Sequence, residues 1–432
     1  MIGWGTALVL MGTLLFPRTG VCGPGDHIRP NDSTVITPSL TSRFAYRSNV
    51  YRSEADPVYA GELYLQPKLE IAVDTPQLDW GLDGAWGARK FIFVGAPSDG
   101  VVIETSERLQ NLDQFNEFNA GTGLVLFERS VVGLEISDRA TLRNNAADAD
   151  YAQAPFTSQT RNRASGALRI SPGEALELKG GVTHTTDIFQ TPTLDGLVRF
   201  NSRTIMGPTG DLRWNFFPRT SFVVSAVYEQ VRWQDTVVSF EDDGEVGSLQ
   251  NELALPNSDH LKIRSGFEGQ LTKKLYIDVL LGAGQAIYDG STSDVSKIDT
   301  NLNDGVSWKD GFLIASQIRY KPSEQSNVGL SYRKDFLDAF FTNVVKYDTV
   351  QLSGSFRWAS VEPSFGYLLR TERYSGDLSR DDILNRFSGA VRLYAAQASS
   401  FELGMWWQER ASSDVSVEYA DVSGFLTYDF VY

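Results

Sequence analysis

Glu62-Leu63-Tyr64-Leu65-Gln66-Pro67-Lys68-Leu69-Glu70-Ile71-Ala72-Val73 is the stretch whose reading decides the fold. Leu63, Leu65, Leu69, Ile71 and Val73 alternate with Glu62, Tyr64, Gln66, Lys68, Glu70 and Ala72. A period of two places these sets on opposite faces of a strand, whereas a helix would mix them. After Asp74-Thr75-Pro76-Gln77 the greasy positions resume at Leu78, Trp80, Leu82 and Trp86, as in a hairpin with a tight turn. One apolar and one charged face is what a sheet needs when lipid lies on one side and a wet lumen on the other.

The pattern repeats from about residue 34 to the end. Short connections fall at Arg129-Ser130, Ser171-Pro172-Gly173-Glu174, Phe217-Pro218-Arg219-Thr220, Thr272-Lys273-Lys274, Lys321-Pro322-Ser323-Glu324, Ala359-Ser360-Val361-Glu362 and Ala396-Gln397-Ala398-Ser399. Longer polar connections lie near residues 93–112, 144–162, 189–201, 235–257, 289–306, 336–343 and 374–384. Short and long links alternate, as periplasmic turns and extracellular loops do in bacterial barrels. The expected fold is all-β: a transmembrane antiparallel up-and-down β-barrel of about eighteen strands, sixteen at the fewest, with both termini periplasmic. At the end, Leu426, Tyr428, Phe430 and Tyr432 share one face, resembling the C-terminal insertion signal read by the barrel assembly machinery, with Tyr in place of the commoner Phe. Trp214, Phe216, Tyr320, Trp358, Phe365 and Trp407 read as interface aromatics beside the periplasmic turns. The soluble rival, a β-sandwich with an aromatic core, would not need so many evenly spaced strands.

No Pro/Ser-rich linker divides the 432 residues, so one architecture should cover nearly all of them. The apolar run at residues 5–16 is too short to span a bilayer and reads as a signal-peptide core, although the start carries no Lys or Arg. Gly20 and Cys22 suit the −3 and −1 positions of a cleavage site, giving a signal peptide at 1–22, a short periplasmic segment at 23–33 and a barrel at 34–432. A lipoprotein would need a small residue before Cys22, where Val21 stands. Cleavage after the lone cysteine leaves neither disulfides nor thiolate metal sites. A formal charge of −15 argues against nucleic acid. The expected surroundings are the lipid and lipopolysaccharide of a Gram-negative outer membrane.

Chemistry-bearing motifs are sparse. His27, His184 and His260 lack metal-ligand spacing, and His184 near Thr183, Thr185 and Asp187 is an ordinary polar strand end, so neither metal, cofactor nor catalysis is expected. Gly121-Thr122-Gly123 and Gly282-Ala283-Gly284 lie inside strands rather than at a strand-to-helix turn, and read as lumenal gaps or bends instead of phosphate loops. The acidic stretches Glu241-Asp242-Asp243-Gly244-Glu245 and Ala147-Asp148-Ala149-Asp150 lack a full calcium-loop pattern. The sharpest constellation is Arg319, Arg333, Arg357, Arg370 and Arg392, which register turns inward from five consecutive strands as a basic wall. At about 3.3 Å per residue the wall spans roughly 15 to 20 Å. It would select solutes by charge, or it would pair with Glu362, Glu372 and Glu402 and merely brace the lumen.

Ser42-Arg43-Phe44-Ala45-Tyr46-Arg47-Ser48-Asn49-Val50-Tyr51-Arg52 resembles the opening of a family of outer-membrane β-barrel porins, type 2, in which an aromatic strand runs into Ser-Asn-Val-Tyr. Members of that family are often found with capsule or exopolysaccharide genes. The resemblance therefore implies a barrel that passes polysaccharide beside a periplasmic export protein, and it transfers no site residues. The alternatives are a general or substrate-specific diffusion porin, and a structural or adhesive surface barrel with a plugged lumen.

Overall fold

The computed structural model describes residues 27–50, 57–95, 116–144, 158–190, 202–233, 238–239, 250–251, 257–288, 306–338, 344–375 and 380–432. In chain order the strands are β1 (Ile28–Asn31), β2 (Thr34–Arg47), β3 (Tyr59–Asp74), β4 (Leu78–Gly95), β5 (Asn116–Leu126), β6 (Val132–Asn144), β7 (Ser158–Gly173), β8 (Leu176–Gln190), β9 (Arg203–Phe217) and β10 (Thr220–Trp233). A two-residue pair follows, β11 (Val238–Ser239) with β12 (Gln250–Asn251). The second half holds β13 (Ser258–Thr272), β14 (Leu275–Tyr288), β15 (Phe312–Ser323), β16 (Ser326–Asp338), β17 (Val344–Phe356), β18 (Val361–Tyr374), β19 (Asp381–Ala396), β20 (Ser399–Ser412) and β21 (Tyr419–Val431).

Nineteen strands share one sheet; β1 is a short addition on β2, and the other eighteen form a closed antiparallel barrel in which each pairs with its chain neighbours. Closure comes from β2 against β21, in register from Ser39↔Val431 to Arg47↔Ser423. Side chains reinforce this seam. Thr41 donates to Asp429 (2.7 Å), while the fully buried Asp421 accepts from the Asn49 backbone N–H (3.1 Å), the Ser48 hydroxyl (3.3 Å) and Arg47 (3.4 Å). The Asn49 amide donates to Ala420 O (3.1 Å), and Val50 N–H to Val58 O (2.7 Å).

Alternation sorts the side chains. Leu63, Leu82, Ile136, Leu168, Phe267, Leu281, Leu330, Leu403 and Leu426 are exposed on the outer face. Charged residues of the same strands occupy the inner face, where Arg139 meets Asp83 at 2.8 Å and Lys179 pairs with Glu135. Such a sheet is stable only with lipid outside and water or paired charge inside, because in hydrocarbon every backbone N–H and C=O must be satisfied by a neighbouring strand and no edge can be left open. The protein is an outer-membrane β-barrel of a Gram-negative bacterium; its even strand number puts both ends of the barrel on one side, that of the short turns, which in such barrels is the periplasmic side.

Several expectations need adjustment. Residues 1–26, and with them the proposed signal peptide, lie outside the described residues; within the expected periplasmic segment, β1 folds back on β2 by pairing Ile28↔Ile36 and Asn31↔Thr34. The two acidic stretches also lie outside the described residues, and the strands reach into the expected loops, β4 to Gly95 and β19 from Asp381. Trp214, Tyr320 and Trp358 are exposed near short turns, with Phe216 packed against Phe267 and Phe365 facing Gly354. Trp407 differs: it pairs with Phe387 in the extracellular half of β20, remote from the turn at Ser399. Its alternation was legible, but its height was not, because β20 is longer than the aromatic spacing suggested. Tyr428 stacks on Phe401 at the barrel's outside, and Tyr432 N–H donates to Pro38 O (3.0 Å), so the terminal aromatics lie along the closing seam.

Replacing Asp421 by Ala removes a buried acceptor with three donors, a loss worth about 3 kcal/mol. The expected outcome is a lower temperature for conversion of the compact to the extended electrophoretic form. A conversion temperature equal to wild type would show that the backbone ladder alone holds the seam.

Candidate solute path along the inner wall

The four of these arginines that lie in strands, Arg319, Arg333, Arg370 and Arg392, alternate with exposed residues such as Ile318, Leu330, Tyr367 and Leu393. Arg319 alternates with the exposed Ile318 and Tyr320, and its guanidinium sits 4.3 Å from the Tyr276 ring centre. Arg357, just beyond β17, lies 3.9 Å over the Tyr394 ring and donates to Ala359 O (3.3 Å). Arg392 stands in the row Glu362–Arg392–Glu402 and pairs with Glu402 at 2.6 Å, while Glu362 accepts from the Tyr394 hydroxyl at 2.6 Å. Higher up, Thr349 is directly opposite both Arg333 and Arg370; Arg370 donates to its hydroxyl (3.1 Å) and lies 3.6 Å from Glu372. Arg333 pairs with Asp335 at 2.9 Å, a partner that the reading by rows had not assigned.

The wall is therefore not one continuous basic strip. Carboxylates pair with three of its members, and tyrosine faces hold the other two, with Asp278 also within electrostatic reach of Arg319. Between Arg333 and Arg370 the wall opens into a recess of about 510 Å³ lined also by Asp278, Glu372, Tyr347, Gln351, Gln317 and Ser331. Glu372 does not serve Arg370 alone: the buried Arg410 donates to it (2.8 Å) and to Asp382 (2.7 Å). Across the barrel the buried Asp187 accepts from Arg161 (2.5 and 2.9 Å) and Arg203 (3.1 Å). Charges removed from bulk water persist only when paired in this way.

Above the recess the wall departs from a simple barrel. β16 pairs with β15 only up to Lys334, opposite Ile314, yet remains paired with β17 as far as Asp338, opposite Val344. Beyond Lys334 its side chains meet β13 and β14 instead. Asp335 accepts from Lys262 (2.9 Å) and Arg264 (2.6 Å), and Lys262 also donates to Phe336 O (2.6 Å). Asp338 accepts from Ser258 (2.5 Å) and Tyr288 (2.7 Å) and lies 2.8 Å from His260 Nε2. Phe336, Val344, Leu313, Val306 and Ala286 form a small apolar cluster between these contacts. The extracellular end of the β16–β17 hairpin thus crosses the inner side of β15 and docks on β13 and β14. Gly284 permits the docking, since a Cβ there would stand 2.8 Å from the Phe336 ring.

Ser258, His260, Lys262 and Arg264 share one face of β13, and nothing in sequence spacing announced partners more than seventy residues away. His260 belongs to this acid-centred cluster, while His184 lies on a face apart from it. Among the described residues no group of three or more His, Cys, Asp or Glu is arranged to hold a metal ion.

No family model matches the chain, and neither does any curated protein. Among solved structures, the outer membrane protein OpdK from Pseudomonas aeruginosa overlaps with a TM-score of 0.46 at 10% identity, over 92% of this chain and 99% of that one. OccAB3 from Acinetobacter baumannii gives 0.45 at 10% identity, over 93% and 99%. The siderophore receptor PirA from Pseudomonas aeruginosa gives 0.41 at 9% identity, over 94% and 81%. Overlaps at this level carry nothing over about cargo, and the reading of the chain rests on its own strands.

Asp335→Ala leaves Lys262 and Arg264 facing each other without their acceptor, and Gly284→Val drives a branched side chain into the Phe336 ring. Both substitutions are expected to loosen the docked hairpin end, raising single-channel current noise and mean conductance in a planar bilayer. Currents indistinguishable from wild type in both variants would mean that this hairpin does not restrict the lumen.

Proposed function

We propose that the protein is a diffusion channel for small charged solutes across the outer membrane. The observation that supports this most directly is the inner wall itself: a recess flanked by Arg333 and Arg370, with Asp278 and Glu372 among its hydroxyl, amide and apolar lining, inside a barrel of porin size. Polar groups of this kind exchange a solute's water for weak, replaceable contacts, which is what passage requires. Selectivity would come from Arg319 and Arg357, which form no direct ion pair among the described residues, and from the half-shared charges around Thr349. Arg, with its planar fork, suits carboxylate and phosphate groups.

This is the diffusion-porin alternative, not polysaccharide export. The export reading rests on the resemblance through Ser42–Arg52 alone, and the hairpin end docked across β15 occupies lumen that a polymer chain would need. The periplasmic export partner stands or falls with that reading.

Reconstituted channels are expected to conduct with a preference for chloride over potassium, read from the reversal potential in a salt gradient. Arg333 and Arg370 both changed to Ala should reduce that preference without abolishing current. Absence of current at any applied voltage, together with binding of acidic polysaccharide, would overturn this reading in favour of an export barrel opened by a partner.

A further inference from the structure

At the periplasmic end a bowl of about 940 Å³ opens between the turn joining β9 to β10, the turn joining β13 to β14 and the end of β15. Its floor is inner wall: Arg213 paired with Glu268 (2.9 Å), and Arg319 lying on Tyr276 (4.3 Å). Its rim carries Arg219, Lys273, Lys274 and Lys321. None of these four forms an ion pair with a carboxylate among the described residues. The lining thus gathers six cationic side chains against two carboxylates, Glu174 and Glu268, with Asp278 beneath the floor within electrostatic reach of Arg213 and Arg319, in a chain whose net charge is −15.

The rim is held in shape. Gln270 N–H donates to Arg219 O (2.8 Å), tying one turn to the next, and Lys321 N–H donates to Lys274 O (2.7 Å), tying that turn to the end of β15. Within the middle turn the Thr272 hydroxyl accepts from the backbone of Lys274 (3.2 Å) and Leu275 (3.0 Å), and the Gln270 amide donates to Lys273 O (3.2 Å). Turns bonded to each other in sequence cannot splay to relieve the repulsion of their lysines. An enclosed cationic surplus on a fixed frame lowers its energy by taking up a multivalent anion rather than by moving apart.

We propose that this bowl is a binding site for a compact polyanion bearing phosphate groups, held at the periplasmic mouth of the barrel. Four features favour a compact ligand over an extended protein segment: the concavity, a volume in the range of small-molecule sites, the continuity of its floor with the inner wall, and the point charges of three lysines. The site goes beyond passage through the lumen, and its occupation is measurable in a barrel that conducts nothing.

The test is calorimetric titration of the full-length, detergent-purified barrel with sodium tripolyphosphate at low and at high sodium chloride. The wild type is compared with Lys273→Gln/Lys274→Gln/Lys321→Gln and with Arg333→Gln/Arg370→Gln. Lys273 and Lys274 lie in the turn between β13 and β14 and Lys321 near the end of β15, where only its side chain is changed, and the heat-modifiable electrophoretic shift verifies that each barrel is folded. The expected result is one salt-sensitive site, weakened at least about tenfold in the lysine variant and unchanged in the arginine variant. Absence of binding, equal binding by wild type and lysine variant, or loss in the arginine variant alone would each overturn the proposal. So would tighter binding of a hexaglutamate peptide than of tripolyphosphate, which would make the bowl a docking surface for an acidic protein segment.

Discussion

The constraint on which everything else depends is the pairing of the first strand with the last. In hydrocarbon an unpaired backbone N–H or C=O costs several kcal/mol, so an open sheet of this length is not a viable membrane structure. The β2–β21 ladder removes both edges at once. Asp421 sits where that ladder ends on the extracellular side and gathers Arg47, Ser48 and Asn49, so the chain leaving β2 is held against the chain entering β21. Part of the stretch that resembles a porin family, Ser48-Asn49-Val50, is thereby given a physical role as a clasp on the seam, independent of any cargo.

Closure creates the second problem, an inside lined with charge. Facing strands supply opposite charges at hydrogen-bonding distance, as with Arg392 and Glu402, or Arg410 with Glu372 and Asp382. Arg319 and Arg357, which form no direct ion pair among the described residues, lie on tyrosine rings. The result is a wall that is polar and rigid yet only locally basic. That combination suits passage of small solutes better than retention of one.

The docked end of the β16–β17 hairpin follows from the same need for partners. Lys262 and Arg264 bring two cations to the inner face of β13, and Asp335 and Asp338 bring two acids, with Phe336 filling the space over Gly284. Crossing β15 costs the β15–β16 ladder its upper pairs, and the acid–base contacts with the apolar cluster offset that loss. A barrel drawn only from strand order would leave this space open.

The alternation in Glu62–Val73 and its repeats was enough to read an antiparallel barrel, its strand number to within two, and the short and long sides. These are local properties: a period of two and a turn every dozen or so residues are written into consecutive residues. Which charge meets which was not legible. Glu372 is drawn to Arg410 as well as to Arg370, Asp335 gathers cations from β13, and the basic bowl unites two turns and the end of β15, each separated from the next by about fifty residues of chain. Those meetings depend on strand stagger and on one hairpin folding inward, both of which are set by the closed barrel as a whole. The sequence by itself determined the faces, and only the tertiary structure decided their partners, because a charge pair selects by distance through space and not by distance along the chain.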